Sequence, residues 1–165
     1  MLNPKSPLAD LLNAPMRPGV VEWIGLRPQR RAPVSVVGSF TLDVQAGVIG
    51  DHYNNPQRGT RHVTLIGRED LQAIASYLDQ DVSPEQLRRN IVVRGINLLA
   101  LKDKRFRLGE AVLEMTGECH PCSRMEETFG AGGYNAVRSH GGITARVLEG
   151  GTVKLGDALI ALTLT

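Results

Sequence analysis

Apolar and polar residues alternate or cluster in short runs along most of the chain, and only one stretch carries a clear helical period. GVVEWIGL, starting at Gly19, reads as a strand, and VSVVGSFTLDVQAGVIGD (34–51) reads as one or two more, ended by Gly47 and Gly50. RHVTLI (61–66) is a further β-rich run. Leu71, Ile74, Ala75 and Leu78 then recur at i, i+3, i+4 and i+7, which predicts one apolar stripe on a helix from about Arg68 to Leu78. Ser83-Pro84-Glu85-Gln86 signals a short helix: serine suits the cap, proline the first turn, and Gln86 can reach back to the cap amide. That helix must stop near Asn90, because IVVRG is strand-like.

The C-terminal half returns to strands. LGEAVLEMTG (108–117) and LGDALIALTL (155–164) each open with Leu-Gly-acid-Ala, the pattern of a glycine turn feeding an extended run. Between them lie SRMEETF, a possible helical turn, and GGITARVLEGG, a strand bounded by glycine pairs. Many short strands, 18 glycines and one good helix predict a mainly β fold, a barrel or closed sheet.

Composition sharpens this only slightly. A chain of 165 residues, 42% apolar and 22% charged, suits one soluble domain with its own core. Pro4, Pro7, Pro15 and Pro18 favour a loose arm or strap over residues 1–18 rather than a helix of any length, which leaves 19–165 as a single domain. No stretch has the apolar core of a signal peptide or a membrane span, so cytosol is the expected location, with no membrane partner. Two cysteines without an export signal do not make a disulfide framework. A net charge of +2 gives no case for nucleic acid as a partner, so any functional positive field must come from local clustering.

Four stretches could carry chemistry. In Cys119-His120-Pro121-Cys122 a thiolate would sit near helix amides and Arg124, both of which favour charged sulfur. Three readings stay open on spacing alone: two buried apolar thiols, a C-x-x-C redox pair, or one thiolate ligating a soft transition metal. Structural zinc is the poorest fit, because no second C-x-x-C exists to complete four ligands. Gly50-Asp51-His52-Tyr53 and Arg58-Gly59-Thr60-Arg61-His62 gather histidines, an aspartate and arginines around one loop, and loops on a rigid scaffold commonly hold sites. Asp51 and His52 are the candidate proton donors, since carboxylates can be tuned toward neutral pH and histidine exchanges protons there. Arg88-Arg89-Asn90 precedes an apolar strand, which points at least one anion-binding guanidinium along a barrel rim. Arg138-Ser139-His140-Gly141-Gly142 adds a polar loop whose glycines would let the backbone approach a ligand.

Taken together, GVIGDHY, LRRNIVVRGI, FRLGEAVLEMTGECHPC, GGITARVLEGG and VKLGDALIAL, in that order, resemble the MOSC family, named for the C-terminal domain of molybdenum-cofactor sulfurases. The resemblance runs from about Gly19 to Leu162. It implies a closed β-barrel of the MOSC type and a molybdenum cofactor (molybdopterin), with a family-level association to pyridoxal phosphate. It also implies that Cys122 is the molybdenum ligand and that Arg88 and Asn90 match the family's arginine-x-asparagine. On this reading Arg61, His62, Arg88, Arg89, Asn90 and Arg138 surround the cofactor. The family's amidoxime-reducing members further imply reduction of a small N-hydroxylated substrate with electrons from a separate donor protein. A cofactor carrier without turnover is the competing reading, and a dithiol redox protein a third. The stretch RGTRHVTLI departs from the glycine-rich HGG signature of some stand-alone bacterial relatives, which bears on substrate identity.

Overall fold

Eleven strands, five short helices and one 3-10 turn are arranged along the chain, in a computed structural model that describes residues 3–52 and 59–163. Tyr53 and Arg58, singled out above, lie outside the described residues. The strands are β1 (Gly19–Leu26), β2 (Ser35–Val37), β3 (Ser39–Asp43), β4 (Gly47–Val48), β5 (Val63–Gly67), β6 (Ile91–Arg94), β7 (Arg105–Leu108), β8 (Ala111–Glu118), β9 (Ile143–Glu149), β10 (Gly151–Lys154) and β11 (Ala158–Ala161). Seven of them run in the order β11-β7-β8-β9-β5-β6-β1, and β1 pairs back to β11, closing a barrel. Strand β2 adds to the edge of β1, and β10-β3-β4 form a small second sheet. The stretch 34–51 therefore yields three short strands where the pattern predicts one or two.

All barrel neighbours are antiparallel except β5 and β6. A parallel pair needs a long crossover. Here it is supplied by α2 (Arg68–Leu78) and α3 (Pro84–Leu87). The predicted stripe on α2 buries Leu71 and Ile74 against the outside of the barrel. Helix α3 ends its chain reversal as expected, with the Ser83 amide donating to Gln86 Oε1 at 2.8 Å. Because α2, α4 (Arg124–Phe129) and α5 (Gly133–Val137) cover these two strands, they are buried on both faces. Leu65, Ile91 and Val93 point into the barrel core, while Ile66 and Val92 join the outer cluster. Two-sided burial explains why VTLI and IVV are continuous apolar runs rather than alternating ones.

The N-terminal arm differs from the expectation of no helix. Residues Pro7–Leu12 form α1, a short helix started by Pro7 at its first turn and capped by Ser6 Oγ, which accepts the Ala9 amide at 3.1 Å. Proline that would break a helix interior is compatible with a first turn, where no amide donor is required. Lys104 Nζ donates to the Leu12 carbonyl and ties the arm to the barrel. Among the described residues no helix is long and apolar enough to cross a membrane.

Gly142 joins α5 to β9 at φ +86°, and a Cβ there would overlap the Leu65 carbonyl oxygen of β5. Gly132 has a similar φ of +93° with open space around it. Gly132→Ala should therefore lose about 1–2 kcal/mol for its left-handed backbone alone. Gly142→Ala should lose at least about 3 kcal/mol, because the strand must also move. Urea unfolding of the two variants checks this difference.

Candidate functional site

The loops at one end of the barrel gather arginines around the two cysteines. Strand β8 ends at Glu118, and the next residue, Cys119, donates its amide to the Gly142 carbonyl at 2.8 Å. Gly141 packs so tightly on the Cys119 carbonyl that a Cβ would overlap it. Gly141 and Gly142 thus let the backbone of this loop pack closely on β5 and on Cys119. Cys119 is buried and Cys122 exposed, and both are free thiols. Arg61 Nη2 approaches Cys119 Sγ at 3.9 Å.

Arg89 is the most constrained of the arginines. It is 9% exposed, with Nε donating to the Gly141 carbonyl at 2.8 Å and Nη1 to the Leu87 carbonyl at 2.6 Å. Burial draws its guanidinium below the usual arginine range, Cys119 opposes that shift, Arg27 and Arg61 reinforce it, and Cys122 opposes it. Its companions are therefore two sulfurs and two further cations. No carboxylate among the described residues lies within ion-pair distance of Arg61, Arg88, Arg89 or Arg124. A buried cation without a counter-charge is costly unless something supplies negative charge.

Asp51 is the carboxylate of this region, and it is fully engaged. Its side chain is 0% exposed and receives the Arg27 amide at 2.7 Å, Arg27 Nε at 3.2 Å, Arg27 Nη2 at 2.8 Å and Asn90 Nδ2 at 3.2 Å. That geometry makes Asp51 a brace for the loop after β1. His52 is exposed, and its Nδ1 meets the Arg27 carbonyl at 2.9 Å. A carbonyl can only accept, so the ring donates through Nδ1 in that bond.

Other expected ligand contacts are redirected. Asn90 is buried, and its Oδ1 accepts from the Thr64 amide at 3.1 Å and the Thr64 hydroxyl at 3.2 Å. Its Nδ2 donates to the Gly25 carbonyl and to Asp51, each at 3.2 Å. Asn90 thus spends both ends of its side-chain amide on bonds within the protein. Arg88 stands at φ +55° and turns its guanidinium back to the carbonyls of Ala32 and Gln29, the latter at 3.4 Å. Burial, with Arg124 and Arg27 nearby, draws it below its usual range, and Asp51 partly offsets this. Arg138, just past the end of α5, is exposed; its amide donates to the Tyr134 carbonyl at 3.3 Å and its guanidinium to Asn135 Oδ1 at 3.4 Å.

His62 points away from the cysteines. Arg61 and His62 lie in the turn just before β5 and diverge: Arg61 approaches Cys119, whereas the His62 Nδ1 accepts the Val147 amide at 3.2 Å. His62 is 3% exposed, and its Nε2 is buried without a partner among the described residues. A neutral ring that accepts at Nδ1 carries its proton on Nε2, so the unpaired group is a donor. Burial and Arg146 hold its pKa below the ordinary 6.5, against a smaller opposing effect of Asp43. Arg27 went unrecognised in the sequence: it follows a strand with no local motif, and its pairing with Asp51 spans 24 positions.

The roles assigned to Asn90 and His62 are open to direct tests. Asn90→Ala would leave the Thr64 amide and the Gly25 carbonyl unpaired in the core, and should destabilise by about 2–4 kcal/mol. Arg138→Ala should stay within about 0.5 kcal/mol of the parent; thermal unfolding compares them. The folded state disfavours protonated His62, so its contribution to stability is complete above about pH 6.5 and is lost as pH falls toward the lower folded pKa. His62→Gln should flatten the pH dependence of stability below that point. An unchanged slope between pH 7 and about pH 5 would reassign the dependence to other groups.

The sequence matches the MOSC domain family over residues 43–160. No curated protein matches the chain in sequence. Among solved structures, the YuaD protein from Bacillus subtilis superposes with a TM-score of 0.76 at 18% identity, covering 90% of this chain and 98% of that one. YiiM from Geobacillus stearothermophilus gives a TM-score of 0.69 at 14% identity, covering 88% and 75%. YiiM from Escherichia coli gives 0.64 at 18% identity, covering 88% and 71%. At these identities the structural likeness speaks for the fold, and it agrees with the barrel closed by β1 and β11. With the family match spanning most of the barrel, the chain belongs to the MOSC domain family.

Proposed function

We propose that this protein holds a molybdenum cofactor through Cys122 and reduces small N-hydroxylated substrates, with electrons delivered by a separate donor protein. The observation that carries the reading is the pairing of an exposed thiol with a buried guanidinium, Arg89, that has no carboxylate partner among the described residues. Such a donor set fits an anionic group bearing a soft metal: thiolate sulfur is a suitable ligand for it, and arginine forks suit phosphate oxygens. Among the described residues no three His, Cys, Asp or Glu side chains converge on a metal position, so a metal here would bring most of its own ligands with it.

When bound, the cofactor would supply the two-electron chemistry that removes oxygen from the substrate. The chain's own residues have simpler tasks. Arg89 and Arg61 hold negative charge near the sulfurs, and the Gly141 and Gly142 carbonyls fix Arg89 and Cys119 in place. Asp51 and Arg27 brace the loop that carries His52, whose exposed ring would exchange a proton with the substrate. The full engagement of Asp51 favours one second reading, a carrier that delivers or receives the cofactor without turnover, because a carrier needs no acid. Substrate turnover by cofactor-loaded protein separates the two.

Cys122→Ser should abolish molybdenum retention while leaving the thermal midpoint nearly unchanged, since an exposed sulfur contributes at most about 0.5 kcal/mol to the fold. Cys119→Ser should keep the metal. Molybdenum content of the parent and both variants, made in a cofactor-competent host, decides. Full metal in Cys122→Ser removes the ligand assignment. Equal loss of activity in both variants, with no metal in the parent, favours a dithiol mechanism, which needs an attacking and a resolving thiol.

A further inference from the structure

Between α2 and the start of α5 lies an open cleft of about 390 Å³, lined by Tyr77, Leu78, Ala131, Gly132, Asn135 and Ala136. Tyr77 is 62% exposed, and Tyr134, beside Asn135 in α5, is 42% exposed. Both polar side chains of the lining already have protein partners: Tyr77 meets His140, and Asn135 Oδ1 accepts from Arg138. A small molecule would find little there to orient it, whereas exposed aromatics over an apolar floor are the make-up of a protein interface. The charge of this layer narrows the partner. Residues 68–87 and 124–138 carry seven Asp or Glu and three Arg, in a chain of net charge +2. Arg68 is spent on Glu22, and Asp70 on His140. Asp79 and Asp81 follow Leu78, both exposed and without an ion-pair partner among the described residues. Glu127 is likewise exposed, on α4, which Gln80 ties to the end of α2 through the Phe129 carbonyl at 3.3 Å. Arg138, past Asn135, is the exposed cation of the layer. The last turn of α2 holds no basic residue, so the negative end of this 11-residue helix meets two carboxylates instead of an offsetting cation. An acidic rim of this kind repels nucleic acid and anionic lipid and attracts cations.

We infer that this cleft docks a protein partner that presents lysine or arginine on either side of an aliphatic side chain. The aliphatic group covers the apolar floor, and the cations meet Asp79, Asp81 and Glu127. The inference goes beyond the cofactor reading and does not depend on it. The cleft is separate from the cysteines but joined to them through one loop. Tyr77 Oη lies 3.5 Å from His140 Nε2, and the next two carbonyls, of Gly141 and Gly142, receive Arg89 Nε and the Cys119 amide.

The test is an NMR titration of the nitrogen-15-labelled full chain at low ionic strength, where surface charge is least screened. Three capped hexapeptides serve as probes: KKLLKK, its acidic counterpart EELLEE, and KKGGKK. KKLLKK should shift the amides of Leu78, Asp79, Gly132 and Asn135 saturably. It should bind about tenfold or more tightly than either other peptide, since EELLEE meets like charge and KKGGKK covers no apolar surface. Asp79→Asn combined with Asp81→Asn keeps the shape of the helix end, and asparagine tolerates the φ of +50° at residue 79. This double variant should weaken KKLLKK binding by about threefold to tenfold. Ala131→Trp, at an exposed lining position, should fill the cleft and remove these shifts while the rest of the spectrum stays that of the folded parent. Binding of EELLEE or KKGGKK as tight as that of KKLLKK, shifts centred on another face, or no saturable binding would overturn the inference. So would undiminished affinity in the double variant, or in an Ala131→Trp variant that folds.

Discussion

Asn90 is the node on which this end of the barrel depends. Its backbone begins the chain's entry into β6, its side-chain carbonyl takes both Thr64 donors at the start of β5, and its amide reaches Gly25 on β1 and Asp51 on the following loop. Three strands and a functional loop are thus fixed by one uncharged side chain, with every donor and acceptor satisfied. A buried amide is tolerable only under that condition, because each unpaired polar atom in the core would cost about 1–3 kcal/mol. The parallel junction of β5 and β6 makes such a staple useful. The antiparallel neighbours β7 and β8 are joined by a tight turn at Gly109, whereas this parallel pair is separated by the whole α2–α3 crossover.

From that node the site is assembled outward in layers of charge. Asp51 receives Asn90 on one side and clamps Arg27 on the other, so the carboxylate of the region is used inside the protein. Arg88 and Arg89, the two residues just before Asn90, then diverge. The left-handed backbone at Arg88 turns its side chain out to the 29–32 loop, and Arg89 folds inward against the Gly141 carbonyl. The same 139–142 loop holds the amide of Cys119. His140 ties that loop to α2 through Asp70 at 2.9 Å, so a sulfur, a buried guanidinium and a helix are mechanically linked. Rigid support of this kind is what a site needs if its charges are to act without reorganising.

Much of the fold was legible from periodicity. The α2 stripe, the Ser83–Gln86 cap and the two Leu-Gly-acid turns are local signals, in which neighbours along the chain meet in space, and each lies where the pattern places it. The six-residue helix in the arm was missed because four prolines outweigh one good cap when the sequence is read as a whole, although Pro7 alone occupies a permitted first turn. The cysteine pair and the run of arginines stood out for their chemistry, and the family resemblance agreed with the domain match over 43–160.

What the sequence by itself determined is therefore the set of reactive residue types, their order and the β-barrel class, because these follow from short-range patterns and composition. Which of those residues face one another was decided only by tertiary structure. The turn before β5 sent Arg61 toward Cys119 and His62 toward Val147; a single left-handed residue separated Arg88 from Arg89; and Arg27, unmarked by any motif, met Asp51 across 24 positions. Side-chain direction depends on register, burial and the sign of φ at particular residues, and those are fixed when the barrel closes rather than by the neighbours in the chain.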